Sequence, residues 1–481
     1  MKAISMSLKE LVARAQGSAD LNNIDPLTLS GDGGTVIGGI AYDSHGVTPA
    51  ALFCCIEGSR FDGHDFALEA VRGGAAALLV SRDLAIGVPQ IKVVNVRKAM
   101  AMLSAAFYGH PSKSLRVIGI TGTNGKTTTA HLMAAVLHQH GWATEVFGTL
   151  SGARTTPESP DLQRMLAEQV TAGKQAVVME VSSHALAQDR VLGTRFCVSV
   201  FTNLSREHLD FHGTAEKYFA AKALLFTAEL TDVAIINRDD VHGRLLLDTV
   251  TIDTETFGSS DASDVEFDAR HHSFTWVGQR IDVAIGGGFN VMNSLAAATA
   301  AAKLGVAPYD IAKGLAAAGS VAGRFEAVNA GQEFAVIVDY AHTPDALQNV
   351  LDSARLVANG ARVIVVFGCG GDRDHDKRSE MGRIAASSAD VVVVTSDNPR
   401  SEKSQDITAQ ICAGIDYATT HGIVSIEHDR RTAIAQAFTN ARAGDVVVIA
   451  GKGHETTQTT GDKIVPFSDV IVARELLEAR S

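Results

Sequence analysis

The sequence predicts an α/β protein of three domains. These are a small N-terminal α/β domain, a central P-loop-type domain on a mostly parallel sheet, and a C-terminal Rossmann-like domain. Three observations point there. The 481 residues exceed what one core fills, since domains cluster near roughly 100–150 residues. Short apolar runs recur between helical stretches, the pattern of parallel strands covered on both faces. Several of the 44 glycines fall in polar turns just after apolar runs. Apolar residues at 46% and charged residues at 20% place the chain among globular proteins rather than disordered ones.

Over residues 1–112, apolar runs at 51–56 and 75–80 read as strands, with a short helix at 66–72 between them. Gly109-His110-Pro111-Ser112 interrupts the periodicity and marks a boundary. Residues 113–324 open with the strand RVIGI, the loop TGTNGKTTT and a helix. Leu132, Met133, Val136 and Leu137 share one face of that helix, and Gly141 closes it. Further strands fit 175–181, 197–201 and 233–236. Around 250–286 the alternation of HHSFTWV and RIDVAI reads as an antiparallel edge or an inserted hairpin, before an alanine-rich helix over 290–304. Residues 325–481 restart the pattern, with strands expected at 333–338, 362–367, 390–395 and 445–450.

The 42 Lys and Arg against 54 Asp and Glu give a net charge of −12. That argues against a general nucleic-acid binder, which needs excess cationic contacts, yet leaves room for a local phosphate site. Cys54, Cys55, Cys197, Cys369 and Cys412 show no CxxC spacing, so neither a disulfide scaffold nor a cysteine zinc site is indicated. The apolar runs fall short of a membrane span, so stable membrane insertion is not expected. The opening MKAISMSLKELVARAQ lacks the apolar segment of a signal peptide, and a cytoplasmic location is the expectation.

The stretch from Gly119 to Thr128 lies between the clearest strand and the clearest amphipathic helix. Glycines let successive N–H groups turn inward, and the helix N-terminus adds unpaired donors. Gly122, Thr123, Asn124, Gly125 and Thr128 would wrap the phosphates of a nucleoside triphosphate. Lys126 supplies a cation for the outer phosphates and Thr127 a hydroxyl for Mg²⁺. The spacing departs from GxxxxGKT, because Ile120 stands where that pattern has glycine. The bland alternative is a glycine-rich turn with an incidental GKT.

Glu180 ends an apolar strand, where a carboxylate can hold magnesium or merely face solvent. Asn203 and His208 follow the next strand, and His208 is either a metal ligand or a loop-packing residue. Lys222 stands three residues after Phe219 and four before Phe226, on the face of a predicted helix expected to be buried. Its ammonium either snorkels to water or is neutralised. A neutral amine can combine with carbon dioxide to give a carbamate (N6-carboxylysine), which binds metal as a carboxylate does.

The strings TGTNGKTTT, MEVSSHAL, TNLSREHLDFHGT, YFAAKALLF, GRFE, DYAHTPDAL, FGCGGDRD, SDNPR and GKGHE occur in this order across most of the chain. Together they resemble the Mur ligase family. The resemblance implies addition of meso-2,6-diaminopimelate to UDP-N-acetylmuramoyl-L-alanyl-D-glutamate (UDP-MurNAc-L-Ala-D-Glu) through an acyl phosphate. That is a step of peptidoglycan precursor synthesis, and so of cell-wall biogenesis, shape and division. It assigns residues 1–112 to UDP-MurNAc, 113–324 to ATP and 325–481 to the incoming amino acid. Lys222 matches a carbamylated lysine, Glu180 and His208 partner it at one Mg²⁺ site, and Thr127 belongs to a second.

By the same resemblance Asn290 and Asn293 lie near adenine and Arg324 at the domain junction, while Asp339 and His342 face ATP on closure. Ser44, Thr155, Thr156, Ser182, Gln188 and Arg190 hold the muramoyl peptide. Arg373, Asp397, Asn398, Arg400, Gly451 and Glu455 grip diaminopimelate. The chemistry is sensible: Arg400 can meet the distal carboxylate bidentately, with Asp397 or Glu455 on the ammonium. A strand-ending turn at Asn398-Pro399 is the plain alternative for SDNPR. One departure is Asp43-Ser44-His45, where such enzymes have Asp-Ser-Arg; His45 lacks the guanidinium fork, and Arg60 is the candidate substitute. The competing functions are a lysine-adding ligase of the same type, a folate polyglutamate-forming relative, and an ATP-hydrolysing switch that makes no amide.

Overall fold

The computed structural model describes residues 4–17, 26–58, 61–152, 154–418 and 422–480. Arg60 lies outside them. Among the described residues three larger sheets follow one another along the chain. The first joins Thr28–Ser30, Gln90–Lys92, Ala75–Val80, Ala51–Cys54 and Gly39–Ala41, parallel except for the Thr28–Ser30 edge. Next to it His64 is buried with both ring nitrogens engaged, Nδ1 on Asp62 Oδ1 at 2.6 Å and Nε2 accepting Ser81 N–H at 3.0 Å. With Glu57 these are the only three Cys, His, Asp or Glu side chains found close enough to share an ion among the described residues, and their own hydrogen bonds already close the network.

The central sheet is wholly parallel, in the order Asp253–Phe257, Thr231–Asn237, Phe196–Phe201, Arg116–Thr121, Ala176–Glu180, Thr144–Phe147. The chain enters at Arg116–Thr121 and later adds strands on both sides of it. Its carboxyl end therefore opens the crevice where such sheets bind ligands. The near-continuous apolar strands are what burial on both faces demands. Leu132, Met133, Val136 and Leu137 of the helix Lys126–Gln139 are buried against one face, together with Asn290–Lys303.

Two expectations need correction here. Asp253–Phe257 is a parallel edge strand, and the alternating segment after it forms a separate antiparallel sheet of Ser263–Phe267, His272–Trp276 and Gln279–Val283. The helix carrying Lys222 is also shorter than its periodicity predicts. It runs Ala215–Ala223 and tightens into a single turn at Leu224–Phe226, which still buries Leu225 and Phe226 while leaving Leu224 exposed.

The third sheet runs Glu326–Ala327, Ala335–Asp339, Val446–Ala450, Val363–Phe367, Val391–Val394, Ile423–Ile426, parallel apart from its first edge. The central and third layers touch through polar contacts: Asn124 Nδ2 donates to Asp345 Oδ2 at 2.8 Å, and Arg206 lies 3.4 Å from Asp376. No helix among the described residues is long and apolar enough to cross a membrane.

His272 fastens the small antiparallel sheet to the helix Asn290–Lys303. Its buried ring contacts Ile285 O at 2.6 Å through Nδ1 and Ser294 Oγ at 2.8 Å through Nε2. Burial lowers its pKa from 6.5 to about 4. The unfolded chain therefore takes up the proton first, and the stability contributed by the neutral ring is lost as pH falls from about 6.5 toward about 4. Denaturant titrations across that window should show stability falling with pH, with a shallower fall in His272→Gln.

Candidate active site

The turn after Arg116–Thr121 is made two residues beyond Ile120, which stays buried in its strand while the chain reverses through Gly122–Gly125. Gly125 has φ of +86°, and a Cβ there would stand 2.3 Å from Asn293 Oδ1, so both backbone and space require glycine. Lys126 begins the helix and turns its Nζ back onto Gly122 O at 2.8 Å and Thr123 O at 2.7 Å. Lys222, 1% exposed, places its own Nζ on the same Gly122 carbonyl at 2.8 Å. Two ammonium groups thus meet on one oxygen. Burial lowers both pKa values, that of Lys222 well below the ordinary lysine range, with the charge of Lys126 pushing in the same direction.

Glu180 is 1% exposed at the end of its strand. Its Oε1 accepts Thr149 N–H at 2.8 Å, and its Oε2 accepts the hydroxyls of Thr127 at 3.0 Å and Thr149 at 3.2 Å. Arg324 reaches from the junction between the central and third sheets to Thr127 Oγ1 at 3.1 Å. Its Nε is buried without a partner among the described residues, and its guanidinium lies 4.5 Å from the Tyr340 ring centre. Such a donor suits an anion.

His208 stands in a left-handed turn with its ring 4.6 Å from that of His184. Burial, opposed by the neighbouring Glu207, lowers its pKa to about 4, so it is neutral near pH 7 and can offer a nitrogen lone pair. Sequence reasoning missed Glu207, although it belongs to the same polar run after a strand that singled out His208. It lies 3.5 Å from His208 Nε2 and 3.3 Å from His342 Nε2, so it spans two domains. Burial would raise its carboxyl, but the His342 contact, His208 and Lys126 outweigh that and hold it well below the usual range.

A cavity of about 360 Å³ collects most of the expected groups. Thr123, Asn124, Gly125, Lys126, Thr127 and Thr128 line it with Glu180, His208, Lys222, Asn293, Arg324, Asp339 and His342, and with Thr155 and Ser182. Gly122 contributes its carbonyl from beneath. Asn290 is buried behind Asn293, accepting its Nδ2 at 2.8 Å, and does not line the cavity. Asp339 ties two loops together, accepting Phe325 N–H and Ala341 N–H at 2.7 Å each. No three Cys, His, Asp or Glu side chains converge here among the described residues, so a metal would draw on Thr127 and Lys222 as well.

Thr156 binds back to Glu180 O at 2.9 Å, and its own carbonyl takes Arg190 Nη1 at 3.2 Å, with Gln188 Oε1 on Arg190 Nη2 at 2.6 Å. Ser44 lies apart from this cavity, in the short turn Ser44–Gly46 of the N-terminal domain, where Asp43 caps the exposed His45. The loops ending the third sheet form a second cluster. Asn398 Nδ2 donates to Glu455 Oε2 at 2.7 Å, Gly451 packs against Asp397, and Arg400 Nη1 donates to Gly371 O at 2.6 Å with Arg373 beside Gly370. Burial raises the Asp397 carboxyl, while Arg430 and Lys452 pull it down.

This architecture defines a nucleoside-triphosphate-binding protein whose phosphate loop is faced by groups from a further domain. Family models agree: "Mur ligase middle domain" matches residues 120–301, "Mur ligase, glutamate ligase domain" 323–453 and "Mur ligase family, catalytic domain" 36–108. The chain belongs to the Mur ligase family. It is 44% identical over 485 residues to the UDP-N-acetylmuramoyl-L-alanyl-D-glutamate--2,6-diaminopimelate ligase of Alkaliphilus metalliredigens, covering 95% of this chain and 96% of that one. The enzyme of the same name from Gloeobacter violaceus is 44% identical over 498 residues, with 99% of each chain covered. A solved structure of an enzyme with that name superposes with a TM-score of 0.67 at 31% identity, covering 99% of both chains.

Gly125→Ala should remove nucleotide binding without unfolding the protein. The left-handed backbone alone costs an alanine about 1–2 kcal/mol, and the Asn293 contact adds to it. The measurement is the upward shift of the melting temperature by ATP, which should be lost in the variant and retained in the parent.

Proposed function

We propose that the chain is an ATP-dependent carboxylate–amine ligase adding meso-2,6-diaminopimelate to UDP-MurNAc-L-Ala-D-Glu in peptidoglycan precursor synthesis. The relatives named for this reaction span nearly the whole chain. One observation carries the chemistry: Lys126, Lys222, Thr127, Glu180 and Arg324 meet at one phosphate loop, in a cavity that also contains Thr155 and Ser182.

A terminal carboxylate oxygen of the nucleotide-linked dipeptide attacks the γ-phosphorus, the bond to the bridging oxygen breaks, and ADP leaves an acyl phosphate. The amine of diaminopimelate then attacks the acyl carbon. The tetrahedral species expels phosphate as the nitrogen loses its proton, and an amide remains. Lys126 would exchange its two loop carbonyls for phosphate oxygens and offset the charge of two approaching anions. Arg324 brings a second cation with a free Nε. Groups from both domains line the cavity, which keeps the acyl phosphate from water until the amine arrives.

The donor set suits Mg²⁺: Thr127 and Glu180 offer hard oxygens and His208 a neutral nitrogen. Two such ions are expected, and they would supply positive charge to offset that of the phosphate and the carboxylate. Lys222 fits the carbamate role because burial and Lys126 favour its neutral amine. Its nitrogen would form a bond to the carbon of CO₂ and release a proton, exchanging a cation for an anion at the metal. In the third domain Arg400 and Arg373 would take the distal carboxylate of diaminopimelate, with Asp397 and Glu455 on an ammonium.

Phosphate release and peptide product, measured with ATP, UDP-MurNAc-L-Ala-D-Glu and either diaminopimelate or lysine, test the reading. Diaminopimelate should be the better acceptor, and Arg400→Met should erase that preference by a factor on the order of 10². Faster turnover with lysine, or phosphate release independent of any amine, would overturn it. Lys222→Ala should lose most activity and regain part of it with an added short-chain carboxylic acid; full activity without supplement would exclude the carbamate.

A further inference from the structure

Lys452 is fully buried behind the amino-acid loops, a costly place for an ammonium unless it is held by partners. Its Nζ donates to Glu455 Oε2 at 2.9 Å and to Asn398 Oδ1 at 3.2 Å. The Asn398 oxygen also accepts Thr459 N–H at 2.9 Å. With two donors on its oxygen, the Asn398 amide has one orientation open to it. Nδ2 must face the other way, and it donates to Glu455 Oε2 at 2.7 Å. Both donors fall on the same carboxylate oxygen. Among the described residues no hydrogen bond falls on Oε1 of Glu455, whose side chain is 30% exposed.

We propose that Lys452 is a positioning residue for the acceptor amino acid, fixing the Asn398 amide and the Glu455 carboxylate so that Glu455 Oε1 receives the acceptor's ammonium. The role rests on the reading of Asn398 and Glu455 as acceptor-binding groups. The neighbouring loop is braced in the same way: Arg430, its side chain fully buried, is paired with Asp469 at 2.7 Å. Arg430 also holds the carbonyls of Ser396 and Ala450, which precede Asp397 and Gly451, at 3.3 and 2.9 Å. The loops are thus fixed by main chain as well as by side chain.

Lysine and diaminopimelate share the ammonium and differ in the distal carboxylate. Lys452 therefore acts on both acceptors alike, and Arg400 on one. The test is steady-state kinetics of Lys452→Met and Lys452→Gln with each substrate varied in turn. KM for diaminopimelate should rise about tenfold or more, the size of one lost charged hydrogen bond. KM for ATP and for the nucleotide peptide should stay within about twofold, as removal of a single substrate's binding contact requires. The ratio of kcat/KM for diaminopimelate over lysine should remain near the parent's. An unchanged KM for diaminopimelate, a parallel rise in all three KM values, or a collapsed melting transition in both variants would overturn the proposal. Failure of the parent to use diaminopimelate would instead overturn the ligase reading.

Discussion

A half-buried and a buried lysine ammonium sharing the Gly122 carbonyl are the constraint around which the central domain is organised. Desolvation disfavours each charge and their proximity disfavours both together. Among the described residues neither lysine has a carboxylate in direct contact; loop carbonyls hold both, and Glu180 and Glu207 act on Lys126 only at a distance. Such a site is incomplete in an electrostatic sense. A triphosphate would relieve the imbalance from one side, and the proposed conversion of Lys222 to an anion would relieve it from the other. The orphaned Nε of Arg324 belongs to the same deficit.

The same region joins the central and C-terminal domains. Arg324 comes from the junction to Thr127, Asn124 reaches Asp345, and Glu207 contacts His342. Two of these contacts pair a residue at the phosphate loop or its neighbours with one from the domain that would bring the amine, and Arg324 reaches in from the junction itself. The proposed nucleotide contacts and domain approach would therefore draw on the same side chains. That is a physical basis for assembling the acyl-phosphate site only when the acceptor domain is near.

The sequence revealed what is local. A strand, a glycine turn, Lys-Thr and an amphipathic helix are adjacent in the chain, and the structure builds them as adjacent. Lys222 was legible because a charge on an apolar helical face is an inconsistency that needs a cause. The end of its helix was not: the turn at Leu224–Phe226 keeps the apolar side chains inward by tightening, which the 3.6-residue period cannot anticipate. Glu207, Lys452 and Arg430 escaped notice because their partners are remote in sequence or depend on loop geometry; Glu207 meets His342 across domains. Asn290 shows the converse. It shares a motif with Asn293, yet a separation of three helical positions is enough to turn it from the cavity into the helix packing.

Gly323 carries one more implication. Its carbonyl accepts Tyr340 N–H at 2.9 Å, and a Cβ on it would stand 2.1 Å from His454 N. Main chain from three separated stretches is therefore packed with no spare room at the crossover. The crossover length is set to the residue. An amino acid inserted here would displace the guanidinium beside it from Thr127, so the phosphate loop's contact with the next domain depends on this one tightly packed joint.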